Sequence, residues 1–177
     1  MQKILIIVSA MLMSTGIFAQ PKDYPVPPKT QNRLFYIQRN HNKNTVIYDA
    51  EFDKTGKLIK DDPVDVYWIR YQEHGQRMEL RLIEKKFAFG DKCRPLQSNP
   101  EYFLLKIAAT DKKILLLKQT APFKAAVYTN INGKISALHH LYIYADNSGV
   151  WPDVKYIELF GTDIKTGKKT YEKLINP

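Results

Sequence analysis

Arg39, Trp68 and Glu84 are the residues of this chain whose types and settings best suit holding a ligand. Arg39 ends an apolar run, Leu34-Phe35-Tyr36-Ile37-Gln38-Arg39. A guanidinium in that setting can grip a carboxylate or a phosphate through two parallel N–H bonds. A buried charge must also be paired, so the structural alternative is an ion pair with a carboxylate such as Glu84. Glu84 would act as a general acid only beside a second polar group in a cleft. Its plainer role is that of a partner for Arg39. Trp68 belongs to an aromatic set with Tyr67, Tyr71, Tyr142, Tyr144, Trp151 and Tyr156. Core packing is the default for such rings on strands. The functional version is an aromatic-lined pocket for an apolar ligand or a sugar.

The remaining reactive side chains give weaker patterns. His41, His74, His139 and His140 are the four histidines, and the adjacent pair His139-His140 points to opposite faces of a strand. A metal ion needs ligands that converge at defined spacing, so no metal site is expected. Cys93 is the single cysteine, which rules out a disulfide within the chain. Burial is its ordinary fate. The sequence holds no Gly-x-Ser-x-Gly elbow, no His-Glu-x-x-His, no phosphate loop and no dinucleotide fingerprint. No catalytic residue and no cofactor is therefore assigned. Catalysis by residues distant in sequence stays open.

The start of the chain has the order of a secretory signal peptide: Lys3, then an apolar stretch Ile4–Met13, then Ser14-Thr15-Gly16 and the small residue Ala19 before Gln20. The stretch is short of the roughly 20 apolar residues of a membrane-spanning helix. Cleavage near Ala19-Gln20 is expected, with the mature chain exported to the periplasm or the medium. Of the formal net charge of +9, only Lys3 falls in the leader, so the mature part carries +8. The basic residues are dispersed, with no stripe or module for nucleic acid. A dispersed excess reads as a solvated surface with a mild attraction to anions.

The elements that must position these residues are mostly strands. Residues 20–32 carry Pro21, Pro25, Pro27 and Pro28 and read as an extended lead-in. A single β-rich domain is expected over 33–177. Strands are predicted over Arg33–Arg39, Thr45–Phe52 (half-buried), Val64–Tyr71, Tyr102–Ala109, Ile114–Gln119, Lys124–Ile131, Lys134–Ala145, Val154–Phe160 and Lys169–Ile175. Turns are placed at Asp111-Lys112, at Asn132-Gly133 and around Lys165-Thr166-Gly167. Asn132-Gly133 is the strongest hairpin signal, since both residues accept positive φ. Gln76–Phe89 is assigned to one helix, with Leu80, Ile83 and Phe87 at helical spacing and Gly90 as the residue after its end. Met78, Leu80 and Leu82 also fit strand alternation. The expected fold is mainly β with one helix, an antiparallel meander forming a small barrel; a two-sheet sandwich is the alternative.

Several blocks of sequence resemble the bacterial domain of unknown function 4833 family. They are Leu34-Phe35-Tyr36-Ile37-Gln38-Arg39-Asn40, Val46-Ile47-Tyr48-Asp49-Ala50, Val66-Tyr67-Trp68-Ile69, Ile83-Glu84-Lys85-Lys86 with Ala88-Phe89-Gly90, and Tyr156-Ile157-Glu158-Leu159-Phe160-Gly161. They occur in order over most of Arg33–Ile175. The resemblance implies one exported domain with Arg39, Trp68, Glu84, Gly90 and Gly161 as marker positions. It brings no activity with it.

Three functions follow as expectations. The first is a non-catalytic envelope module that binds a small or amphipathic ligand, with Arg39, Trp68 and Glu84 as contacts. The second is a periplasmic structural or protein-interaction module, which predicts a contiguous apolar surface patch. The third is a hydrolase acting on envelope material, which predicts Glu84 or a histidine beside a second titratable group in a cleft.

Overall fold

Alternating apolar and polar residues build strands, and the computed structural model of the chain is dominated by them. It describes residues 23–107, 110–149, 152–175 and 177. The expected leader Met1–Ala19 and Trp151 therefore lie outside the described residues. In chain order the strands are β1 (Arg33–Arg39), β2 (Asn42–Ala50), β3 (Val64–Arg70), β4 (Gln76–Glu79), β5 (Asp91–Leu96), β6 (Asn99–Ile107), β7 (Thr110–Ala121), β8 (Lys124–Ile131), β9 (Lys134–Asp146), β10 (Asp153–Asp163) and β11 (Lys169–Ile175). One short helix, α1 (Leu82–Glu84), continues as a π-helical turn, Lys85–Phe89.

Nine strands follow one another edge to edge in the order β4-β3-β2-β1-β9-β8-β7-β6-β5 and curl into a half-barrel. The long strand β9 is the hub. One of its edges pairs with β10 from Ser136 to Asp146. Its other edge is shared: β8 takes Lys134–Ala137 and β1 takes His140–Ile143. β11 extends the sheet beyond β10.

The β1–β9 pair is parallel, which departs from the all-antiparallel meander expected from the sequence. Parallel neighbours need a long crossover between them. Here the crossover is the whole of β2–β8, a non-local arrangement that no hairpin signal announces.

Other boundaries differ for local reasons. The predicted single helix over Gln76–Phe89 is a strand followed by a helical turn, because β4 completes the edge of β3 through Trp68↔Met78 and Ile69↔Arg77. β5 was also not foreseen; it pairs with β6 through Cys93↔Leu105 and its neighbours. The β6–β7 reversal lies between Ile107 and Thr110 rather than at Asp111-Lys112. β2 is buried on both faces, not one. Its second face is closed by Tyr67, whose hydroxyl donates to Asp49 at 2.8 Å, and by Gln38, which bonds both Thr45 and the Pro25 carbonyl. The Asn132-Gly133 turn forms as expected, with φ of 49° and 79°.

The concave side holds a single apolar cluster. Phe35, Ile37, Tyr48 and Trp68 from β1–β3 join Leu105, Leu115, Leu117 and Val127 from β6–β8, with Leu141 and Ile157 from the hub and its neighbour. Burial of these side chains is the main force that brings the two wings of the sheet together.

Candidate functional site

The site forms where β1 ends against the end of β9. Asn40 follows β1 directly. Its side-chain amide donates to the Ala145 carbonyl at 2.9 Å and its side-chain oxygen accepts from the Ala145 N–H at 2.9 Å. Its own N–H donates to the Ile143 carbonyl. This pair of amide bonds fixes the backbone on which Arg39 sits. From the other side, the helical turn is pinned by Tyr48, whose buried hydroxyl donates to the Phe89 carbonyl at 2.5 Å.

Between these anchors the three predicted site residues come together. The Arg39 guanidinium lies 5.0 Å from the centre of the Trp68 ring and 5.3 Å from that of Phe89. Trp68 is fully buried and meets Phe89 edge to face. The Trp68 indole N–H donates to Glu84 at 3.2 Å, and the same carboxylate oxygen accepts the Arg81 backbone N–H at 2.8 Å. Glu84 thus caps the start of α1 while holding the indole.

The expected ion pair between Arg39 and Glu84 is not formed: no carboxylate lies within 4.0 Å of Arg39 among the described residues. The two are linked instead through the Trp68 ring. A cation over an aromatic face is stabilised without a hydrogen bond, by about 0.5–2 kcal/mol depending on desolvation. Burial lowers the affinity of Arg39 for its proton; the Glu84 charge opposes this and the nearby Arg70 adds to it. The Arg39 Nε is buried and has no hydrogen-bond partner. A buried donor left unmade costs about 1–3 kcal/mol, more on a charged group.

Arg39 also lines a cavity of about 260 Å³. Its wall is apolar on the side of Phe87, Ala88, Phe89, Ile143 and Val154, and polar at Asn40, His41 and Asn147. Two broader hollows, of about 590 and 600 Å³, flank Phe123 and Lys118 and contain none of the three predicted residues. Size alone does not make a site; the smaller cavity joins an apolar wall to the half-buried Arg39 guanidinium.

The family described as Domain of unknown function (DUF4833) matches residues 35–173, most of the chain. The chain belongs to that family. The matched span includes Arg39, Trp68, Glu84 and every cavity residue. No curated protein and no solved structure matches the chain.

Elsewhere in this DUF4833 domain the other reactive side chains are occupied or muted. His140 is buried and stacked between Tyr36 and Phe160, and burial pushes its pKa down to about 3. His139 faces outward and shares a hydrogen bond with Thr162. Cys93 sits part-buried on β5, and burial with Asp91 nearby raises its thiol to about 12. A thiol that stays protonated is a poor nucleophile. Glu84 has no hydrogen bond to a histidine or a second carboxylate among the described residues.

The cavity wall was the part that sequence reasoning missed. Phe87 was assigned to the inward face of a helix, yet it is 61% exposed at the cavity rim while Leu80 and Phe89 turn inward. Ile143, Val154 and Asn147 gave no signal, because their role comes from the β9–β10 turn meeting the end of β1.

Proposed function

We propose that this domain is a non-catalytic binding module for a small anionic amphiphile. In this reading the carboxylate or phosphate head pairs with Arg39, and the first carbons lie against Phe87, Phe89, Ile143 and Val154. The observation that carries the reading is that Arg39 lines a cavity with apolar walls and has no carboxylate in ion-pair range among the described residues. An anion there would supply the missing counter-charge through the terminal guanidinium nitrogens, since the Nε itself is buried. The cavity is slightly smaller than the roughly 300–1,000 Å³ of drug-sized pockets, so it suits a headgroup and a short length of chain.

Trp68 and Glu84 serve this site as supports: Glu84 holds the indole, and the guanidinium lies over the indole. The engaged state of Glu84 gives a hydrolase reading no foothold. We further infer that the domain works outside the cytoplasm after removal of Met1–Ala19, a reading that rests on the order of charge, apolar stretch and small residue at the start of the chain.

Titration with octyl phosphate, followed by tryptophan fluorescence, tests the binding reading. Wild type should saturate. Arg39→Gln should weaken binding by about 10- to 100-fold, the value of one or two charge-assisted hydrogen bonds. Octanol, with the same chain and no charge, should bind poorly to both. Equal affinity of wild type and Arg39→Gln for octyl phosphate would refute the proposal.

A further inference from the structure

The short helical segment beside the cavity presents apolar side chains to solvent. Leu82 is 88% exposed, Ile83 62% and Phe87 61%. The other large exposed apolar residues, such as Val26, Ile114, Ile135 and Ile175, are scattered over separate elements. Single exposed apolar residues are ordinary, but a cluster on one turn marks a contact surface.

The charges around the cluster are of one kind. Arg81, Lys85 and Lys86 are all exposed on the same segment. Lys86 rests over the Phe87 ring at 5.3 Å. Glu84 is the one acidic residue between Arg81 and Phe87, and its carboxylate is drawn onto Trp68 and the Arg81 N–H. Asp91 is near enough to Lys85 to feel its charge, but among the described residues none of Arg81, Lys85 and Lys86 is in an ion pair.

We propose that Leu82–Phe87 is a docking element for an anionic lipid bilayer. Apolar side chains ringed by basic ones enter the boundary between headgroups and acyl chains, while the cations meet lipid phosphates. The chain's overall charge of +9 favours the same surface. Phe87 belongs both to the exposed cluster and to the rim of the Arg39 cavity, so docking sets the cavity mouth at the depth of the headgroups. A bilayer then becomes the source of the amphiphile, with its phosphate at Arg39. That last point rests on the binding reading above; the docking itself does not.

Vesicle flotation separates the two. Phosphatidylcholine vesicles with and without phosphatidylglycerol are the probes, and octyl phosphate titration is run on the same variants. Wild type should float with the anionic vesicles, weaken as salt is added, and leave the neutral vesicles unbound. The double variant Leu82→Ser, Ile83→Ser should lose flotation and keep its octyl phosphate affinity, since neither residue lines the cavity. Arg81→Gln and Lys86→Gln should each weaken flotation by about fivefold. Arg39→Gln should float normally while losing octyl phosphate. Circular dichroism of the Leu82, Ile83, Arg81 and Lys86 variants should match wild type, because those side chains are exposed. Flotation unchanged in the Leu82, Ile83 variant, or equal on both vesicle types, would overturn docking. So would a stable dimer that disappears with the same double substitution, which would assign the patch to a second copy.

Discussion

Arg39 illustrates how a charge is kept inside an apolar strand without an ion pair. Its guanidinium is balanced by two ring faces and by a carboxylate held at one remove through Trp68. Trp68→Phe keeps an aromatic face but removes the indole N–H and one ring of the buried bicycle. It should lower stability by at least about 1.5–3 kcal/mol, the range for a hydrogen bond to a charged group, with the vacated volume adding to the loss, as read by urea unfolding. Glu84→Gln keeps both acceptor contacts and should cost less than Trp68→Phe; the reverse order would show that the Glu84 charge, not the hydrogen bond, is what matters.

His140 gives the residue scale a second test. Its folded pKa of about 3 lies below the ordinary value near 6.5. Between those values the unfolded chain binds the proton and the folded chain does not, so stability is full above pH 6.5 and falls as pH drops toward 3. The slope for this one group is at most about 1.4 kcal/mol per pH unit. Asp91, raised to about 6 chiefly by burial, acts in the opposite sense between about pH 4 and 6. The comparison is therefore made between proteins. His140→Phe should show a shallower acid limb than wild type between pH 6.5 and 3, and identical limbs would contradict the burial of a neutral imidazole.

Among the elements, the interior strands and the edge strand β11 were legible, while the edge strands β4 and β5 were not. β3, β8 and β9 carry β-branched or aromatic residues along their length, and most of the side chains that they bury are apolar, with Thr129, Ser136 and His140 as buried polar ones. Asn132-Gly133 sets its own turn. β4 reads Gln-Arg-Met-Glu and β5 contains Pro95 among charged residues. Edge strands bury little and need no apolar face, so periodicity has nothing to detect. The segment between them misled for the same reason. Its apolar spacing is real, but Ile83 and Phe87 face solvent, and the turn is fixed by Tyr48, Glu84 and Leu80. Arg39, Trp68 and Glu84 stood out as residue types; they meet through the register Ile37↔Val46↔Trp68 across β1–β3 and the turn after β4, while the cavity beside them needs the parallel β1–β9 pair, which lies between segments about a hundred residues apart.

Gly90 gives this scale its prediction. It was read as the residue after a helix end, a position where a left-handed glycine is common, yet its φ is −63° and its ψ 150°. Glycine is required there by space, since a Cβ would stand 1.8 Å from the Lys85 carbonyl oxygen. Gly133 has the opposite need, a φ of 79° with nothing near. Gly90→Ala should displace the turn, weaken octyl phosphate binding and lower the melting temperature. Gly133→Ala should cost only about 1–2 kcal/mol of backbone strain and leave binding intact. Binding equally insensitive to both would detach the turn from the site.

At the level of the whole molecule, β9 joins two wings that share one core. Unfolding is therefore expected to be a single transition, with fluorescence and far-ultraviolet circular dichroism giving one midpoint. Leu117→Ala, in the wing far from Trp68 in sequence, should shift both signals together by about 2–5 kcal/mol. Separate midpoints would divide the half-barrel into independent units. The same continuity places the cavity at the seam where β1, the β9–β10 turn and the helical segment meet, so a ligand there would stabilise the entire fold by mass action.

The central claim is that Arg39 meets its missing counter-charge in a bound anion. The most direct measurement is the NMR resonances of the Arg39 terminal guanidinium N–H groups, assigned by their loss in Arg39→Gln and followed through an octyl phosphate titration. The account predicts a downfield shift that saturates together with the fluorescence change. Guanidinium resonances that stay fixed while the ligand binds would place the anion elsewhere and contradict the account.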